Sequence, residues 1–479
     1  MTITRRNIIK TAAFAPLART LRGATAPSPV ILQLGEYMAA AASRAIPDEA
    51  VEKTKHHILD TLAAMISGTT LPPGKVALQF AKLHAGEKTV TVAGSSYLCG
   101  AIEGAMVNGM LAHSDETDDS HAPSQSHPGC ATIPAAFAAA ESVGNVDGTR
   151  FLRSVALGYD IGTRVTMTLG AIDFQMSTHH SSHSICETFC AAAAAASVAG
   201  LNAHQMRWIL DYAAQQAAGV AAWQRDTEHI EKSLVFAGWP ARNGVTAALL
   251  MQAGATGVED IMTGTDNFLL AFNPKAKPEG LVDKLGERYE ITRTNIKKWT
   301  VGSPIQAPLD AMELIRKKRP FEAADVKAVV ARLAFSDGNT VNNREMPDIC
   351  LQHMLAVMLL DKTASFAAAH DVPRMKDPRV LAERAKVQLI QDQELEKLHP
   401  QRVAIVEVEL RDGTKLSERV EAVRGTAENP MTREEVGTKA RDLITPVIGA
   451  AKAAKLIDQI WHLEQLQNVG DLRSSLQTA

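Results

Sequence analysis

Ser184-Ile185-Cys186-Glu187-Thr188-Phe189-Cys190, then six alanines from Ala191 to Ala196, then Ser197-Val198-Ala199-Gly200, decides the fold class. Alanine has the highest helix propensity, and a glycine just past the last turn supplies a C-terminal cap. The pattern predicts a helix over 184–199 whose small side chains let neighbouring helices approach closely. It repeats outward on both sides. Segments 101–112, 131–143 and 149–169 precede it as helices, and 202–217 and 240–253 follow, with Gly144 and Gly254 as further caps. Ile46-Pro47-Asp48-Glu49 opens an earlier helix, with Asp48 as its cap and Val51, Ile58, Leu59, Leu62 and Ala63 on its apolar face. Residues 88–93 (KTVTVA) are the exception, a short strand.

After Asn273-Pro274-Lys275 the character changes. Residues 326–335 (VKAVVARLAF) are rich in β-branched side chains, and 402–410 (RVAIVEVEL) alternates as a strand does. Arg411-Asp412-Gly413 turns the chain and 414–423 returns, which predicts a hairpin. Helices over 306–318 and 347–370 make the region α+β. Thr432 and Glu435 then form a capping box that restarts helix. The last ~50 residues are too few for a core of their own, so they dock back on the first domain. The expected fold is mainly α. An all-helical domain is built from residues 29–272 and 430–479, with an α+β domain, 273–429, inserted between them.

At 479 residues the chain exceeds one compact core, which stops growing near ~250–300 residues. Hydrophobic residues at 46% and charged residues at 22% exclude a largely disordered chain. A net charge of −3, from 50 basic and 53 acidic side chains without long runs, argues against nucleic acid as a partner. No apolar stretch of about 18 residues predicts a membrane span. Cys99, Cys130, Cys186, Cys190 and Cys350 are an odd, scattered set, which fits buried free thiols rather than a disulfide framework. Thr4-Arg5-Arg6-Asn7-Ile8-Ile9-Lys10, the apolar patch 11–18 and Ala24-Thr25-Ala26 resemble a twin-arginine export signal. The expectation is a periplasmic protein with residues 1–28 outside the fold. The alternative is a basic N-terminus on a cytoplasmic enzyme.

Three polar clusters carry the candidate chemistry. The first, from His113 to His127, holds three imidazoles and the carboxylates of Asp115, Glu116, Asp118 and Asp119 between apolar helices. Acid–base catalysis, metal ligation and an exposed capping loop all fit that composition. The second, Thr178-His179-His180-Ser181-Ser182-His183-Ser184, opens the alanine-rich helix, where free N–H groups suit a carboxylate ligand. The third is Glu228-His229-Ile230-Glu231-Lys232-Ser233, ahead of Gly238-Trp239-Pro240-Ala241-Arg242. Lys232 there is either a snorkelling surface lysine or a desolvated clamp. Dinucleotide, P-loop, serine-hydrolase and zincin motifs are missing from the sequence.

In this order the clusters resemble the MmgE/PrpD family, which includes 2-methylcitrate dehydratases, cis-aconitate decarboxylases and an iminodisuccinate epimerase. The family's N-G-x-x-A-H-x-x-D-F-D-D-T is matched by Asn108-Gly109-Met110-Leu111-Ala112-His113 and Glu116-Thr117-Asp118-Asp119-Ser120. Its H-P-S is matched by His127-Pro128, and its P-A-x-x-A-x-A-E by Pro134-Ala135 through Ala140-Glu141. His179-His180 to Ala196 answers to its loop before an alanine-rich helix, and Lys232 with Gly238-Trp239-Pro240-Ala241 to its lysine before H-x-G-W-A-A. Asp348-Ile349-Cys350-Leu351-Gln352-His353 answers to D-x-C-L-Q-Y. The resemblance implies an all-helical domain carrying an α+β lid, a homodimer, and neither metal nor organic cofactor. Four departures stand out. Glu116 replaces an aspartate, Gln306 a histidine and His353 a tyrosine, and one extra residue separates Lys232 from Gly238.

What the resemblance implies chemically is a carboxylate lyase. It removes a proton α to a carboxylate on a small di- or tricarboxylic acid and expels a β-hydroxyl. Such a carbon acid is weak, so the site needs a base near the proton and cations near the developing enediolate. Glu116 or His180 is the expected base and His127 the acid. Lys232 is the expected carboxylate clamp, with Arg242 as a second. Asp118 and Asp119 orient His127 or Lys232, and Gln306 and His353 complete the site from the lid. Decarboxylation and epimerisation share the carbanion. A non-catalytic exported organic-acid binder and a metal-dependent lyase are the readings from other classes.

Overall fold

The computed structural model describes residues 26–478; the twin-arginine segment lies outside them. Among the described residues the chain is mostly helical with one small mixed sheet. The alanine-rich helix, Ser182–Ala199, runs through the centre, with Ala191 to Ala196 fully buried. Helices Gly129–Val143, Gly148–Leu169 and Trp239–Gln252 pack around it. Alanine side chains bring those backbones close, so the tight bundle follows from composition.

Helix 101–112 has its predicted bounds, and the capping box at Thr432 and Glu435 is present. Asp48 differs. Pro47 occupies the cap position without a side-chain hydrogen bond, and Asp48 is the first residue of helix Asp48–Gly68. There a carboxylate still favours the positive end of the helix. Of residues 88–93 only Val90–Thr91 is strand, paired with Leu98–Cys99.

The main sheet has four strands, ordered Val387–Asp392, Val326–Ala334, Ala404–Leu410, Lys415–Val420. The last two form the predicted antiparallel hairpin, Val406 opposite Glu418. Val387–Asp392 runs parallel to Val326–Ala334, with Val329 opposite Val387. It is an edge strand only partly buried, so its alternation is weak, and no hairpin turn announces it.

Two large hydrophobic cores, with a small third cluster at Ala334, Leu395 and Val403, divide the described residues. The first takes in Leu281, Tyr289, Ile291 and Ile296 and resumes at Met431; the second runs from Trp299 to Val423. The change of character at Asn273 therefore precedes the change of core by about two dozen residues, because short 3-10 turns pack against the bundle. Helix Arg433–Ile448 lies along Asp48–Gly68, where Lys439 Nζ is 2.6 Å from Asp60 Oδ1. All five cysteines are buried and free. No helix among the described residues is long and apolar enough to cross a membrane.

Candidate active site

The loop leaving helix Ala101–Ala112 gathers the polar groups. His113 is the first residue past that helix, and its Nδ1 lies 2.9 Å from Asp118 Oδ2. Asp118 Oδ1 is 3.4 Å from His127 Nδ1. The same nitrogen is only 2.6 Å from the main-chain carbonyl oxygen of Asp119. A carbonyl can only accept, so His127 Nδ1 holds a proton in every state, and Nε2 is the nitrogen left to gain or lose one. Burial pushes the Asp118 carboxyl up, but His113 and His127 beside it hold it well below the usual range.

Glu116 is gripped from two sides. Lys232 pairs with Oε1. Lys297 Nζ lies 3.6 Å from Oε2 and donates to the Glu116 carbonyl at 2.8 Å. Burial alone raises this carboxyl, yet the two ammonium groups outweigh it and keep it well below the carboxylate range.

Lys232 reaches that position through a local irregularity. Asp226 accepts its main-chain N–H at 2.9 Å, a short α-turn Ile230–Ser233 follows, and Leu234–Gly238 is a π-helical turn feeding helix Trp239–Gln252. A π turn holds one residue more than an α turn. It thus accommodates the extra residue between Lys232 and Gly238. The π turn crosses helix Ala101–Ala112 closely enough that a Cβ at Gly109 would meet the Ala237 carbonyl oxygen at 2.7 Å.

Phe236 of that turn forms an aromatic floor. The His183 ring stacks on it at 4.1 Å, the His113 ring stacks at 4.8 Å, and the Lys232 ammonium sits 5.2 Å from its centre. His183 also stacks on His127 at 5.4 Å. Burial drives the imidazoles of His183 and His229 well below their usual range, so both are neutral. His127, His183 and Lys297 line a cleft of about 730 Å³, whose other wall includes Ser303, Arg402 and Arg424 from the second core's side. Asp119 sits behind, accepting from Tyr159 Oη at 2.5 Å and the Gly129 N–H at 3.1 Å.

Of the residues singled out in the sequence, Glu116, Asp118, Asp119, His127 and Lys232 come together. His180 stands apart, its ring against Phe174 at 5.7 Å and Phe272 at 5.3 Å; His183, three residues on, is the histidine that reaches His127. Arg242 donates to its neighbour Asn243. Gln306 borders the cleft, but its amide is engaged by Trp299 and Val301. His353 is buried in helix Leu351–Asp361, where burial, with Arg384 and Arg374, lowers it to about 4. From its motif Asp348 is the group affected by Glu116 and Lys232; burial raises it to about 7.

Lys297, His183, His229 and His370 were not assigned roles from the sequence. His183 had a signal: Glu187, four residues on, shares its helix face and accepts the His127 N–H at 2.6 Å. Lys297 had none, since it follows an irregular segment. Two donor sets, His113–Asp118–His127 and His113–Glu116–His229, have ligand atoms within 4.8 Å of one another. Lys232 and Lys297 already neutralise those carboxylates, so a divalent cation would have to displace an ammonium group.

Residues 32–281 match the model of the MmgE/PrpD N-terminal domain, and 299–465 that of the MmgE/PrpD C-terminal domain. The chain is 25% identical to the cis-aconitate decarboxylase-like protein oryM of Aspergillus oryzae, over 89% of this chain and 93% of that protein. It is 24% identical to the cis-aconitate decarboxylase of Aspergillus terreus, over 93% and 96% of the two chains. To that of Homo sapiens it is 25% identical, over 90% and 91%.

Proposed function

The chain belongs to the MmgE/PrpD family, and from that premise we propose that it is a lyase acting on a small di- or tricarboxylic acid through a carbanion stabilised by two lysines. The observation that carries this reading is the convergence of Lys232 and Lys297 on Glu116, beside an imidazole whose Nε2 is left free at the cleft.

A substrate carboxylate draws Lys232 from Glu116, and Lys297 supports the charge that develops on the neighbouring enediolate. In a decarboxylation the C–carboxyl bond breaks, carbon dioxide leaves, and the carbanion takes a proton from Nε2 of His127 in its imidazolium form, whose Nδ1 proton stays donated to the Asp119 carbonyl beside the Asp118 carboxylate. The two cis-aconitate decarboxylase relatives, spanning nearly the whole chain, favour this branch. Dehydration is the second reading, favoured by Asp348-Ile349-Cys350-Leu351-Gln352, which follows the dehydratase pattern. There Glu116 takes the α proton and the His127 imidazolium protonates the departing hydroxyl from Nε2. While paired with both lysines Glu116 is too weak a base, and losing Lys232 to the substrate raises it. Closure of the α+β lid over the cleft excludes water.

Proton NMR in deuterated water with hydroxy-, amino- and unsaturated di- and tricarboxylates tests the reading, wild type beside Lys232→Ala. Loss of a carboxylate in wild type alone establishes the decarboxylase branch, a new alkene the dehydratase branch, and α-proton exchange alone an epimerase. No change with any acid, together with tight binding, sinks the lyase reading in favour of a binder. The proposal extends to a homodimer exported by the twin-arginine route. Light scattering and fractionation after Arg5→Lys/Arg6→Lys test those two points.

A further inference from the structure

Helix Arg433–Ile448 reaches the back of the active-site loop with one buried lysine. Lys439 Nζ donates to the main-chain carbonyl of Thr117 at 2.9 Å and lies 2.6 Å from Asp60 Oδ1. Its side chain is 4% exposed and that of Asp60 1%. Lys297 holds the carbonyl before it, that of Glu116, at 2.8 Å. Two consecutive carbonyls are therefore held by ammonium groups from remote parts of the chain. The two residues that follow are Asp118 and Asp119, the first bound to His113 and the second aligning His127 through its own carbonyl.

Burying an ammonium–carboxylate pair carries a desolvation cost that its contacts must offset, and an apolar pair would pack the same helix interface without it. The neighbours Ala440, Leu443 and Ile444 do so. What an apolar side chain cannot do is donate to the Thr117 carbonyl. We propose that Lys439 is a positioning residue for the reaction. Docking of helix Arg433–Ile448 sets the 116–119 backbone, and through it the orientation of His127 and Glu116. Asp60 aims Lys439 at the Thr117 carbonyl.

The test compares Lys439→Met, Lys439→Gln and, as an exposed control on the same helix, Glu434→Gln. Histidine ring ¹⁵N NMR reads the His127 Nδ1–carbonyl hydrogen bond without any substrate, so this arm stands even if the lyase reading, on which the kinetic arm rests, fails. Folded Lys439→Met is expected to shift the His127 and His113 signals. It should lower kcat by about 10²-fold, the cost of a misplacement near 1 Å, with a much smaller change in KM. Lys439→Gln, whose amide still donates, recovers part of both. Wild-type histidine signals and kcat in folded Lys439→Met overturn the proposal. If that variant does not fold, a loss of kcat in Lys439→Gln with unshifted histidine signals overturns it equally.

Discussion

His127 donates its Nδ1 proton to the carbonyl oxygen of Asp119, 2.6 Å away. A carbonyl, unlike a carboxylate, cannot change protonation, so Nδ1 stays protonated and Nε2, towards the cleft, is the nitrogen that gains and loses a proton. His127→Gln preserves a polar side chain but loses that nitrogen. Turnover should fall by about 10²–10⁴-fold, the usual worth of a general acid or base, with little change in thermal stability. Steady-state kinetics beside a thermal melt checks both.

Lys232 pairs with Glu116 on one side and lies near Phe236 and Trp223 on the other. Lys232→Ala should cost about 10²–10³-fold in kcat, as loss of one charge-stabilising donor does. It also leaves the buried Glu116 with Lys297 alone. Its carboxyl must then rise, and the acid limb of the pH–rate profile should move to higher pH. An unmoved acid limb would count against the pairing.

Gly129 begins its helix where nothing larger fits. A Cβ there would meet Tyr159 Oη at 2.5 Å, Asp119 Oδ2 at 2.7 Å and Thr61 Oγ1 at 2.8 Å. Gly129→Ala should therefore destabilise the fold by about 1–3 kcal/mol, the ordinary cost of overpacking. Because Asp119 is displaced, kcat should drop as well, a coupling that denaturant unfolding and kinetics on one preparation would reveal.

His370 Nε2 lies 2.9 Å from Asp115 Oδ2, joining the second core to the active-site loop. Burial lowers the imidazole, but the Asp115 contact and charge, with Asp348, raise it to about 9. The folded value exceeds the ordinary ~6.5, so this stabilisation is complete below pH ~6.5 and disappears as pH rises through about 9. His370→Gln should lower stability at pH 6 and match wild type above pH 9. Melts across that range show whether the difference closes.

Much of this was legible in the sequence for identifiable reasons. The run Ala191 to Ala196 announces a buried helix because alanine favours helix and fills little space. Arg411-Asp412-Gly413 between alternating segments announces the hairpin. Glu116, Asp118 and His127 were visible because they share one short polar loop between apolar helices. Val387–Asp392 was not, since a half-buried edge strand has little periodicity to read. The resemblance points to His180 because the family's loop motif is matched by His179-His180, whereas the choice between His180 and His183 depends on which helix face meets Phe236.

The sequence by itself determined the helical class, the family pattern and the loop that holds the acid–base groups, because these depend on local propensity and short-range spacing. Only the tertiary structure decided which cations meet Glu116, which histidine backs His127 and which helix holds the loop from behind. Lys297 and Lys439 lie 181 and 322 residues from the carbonyls they hold. Such contacts exist only once burial has brought those segments together, and no local pattern encodes them.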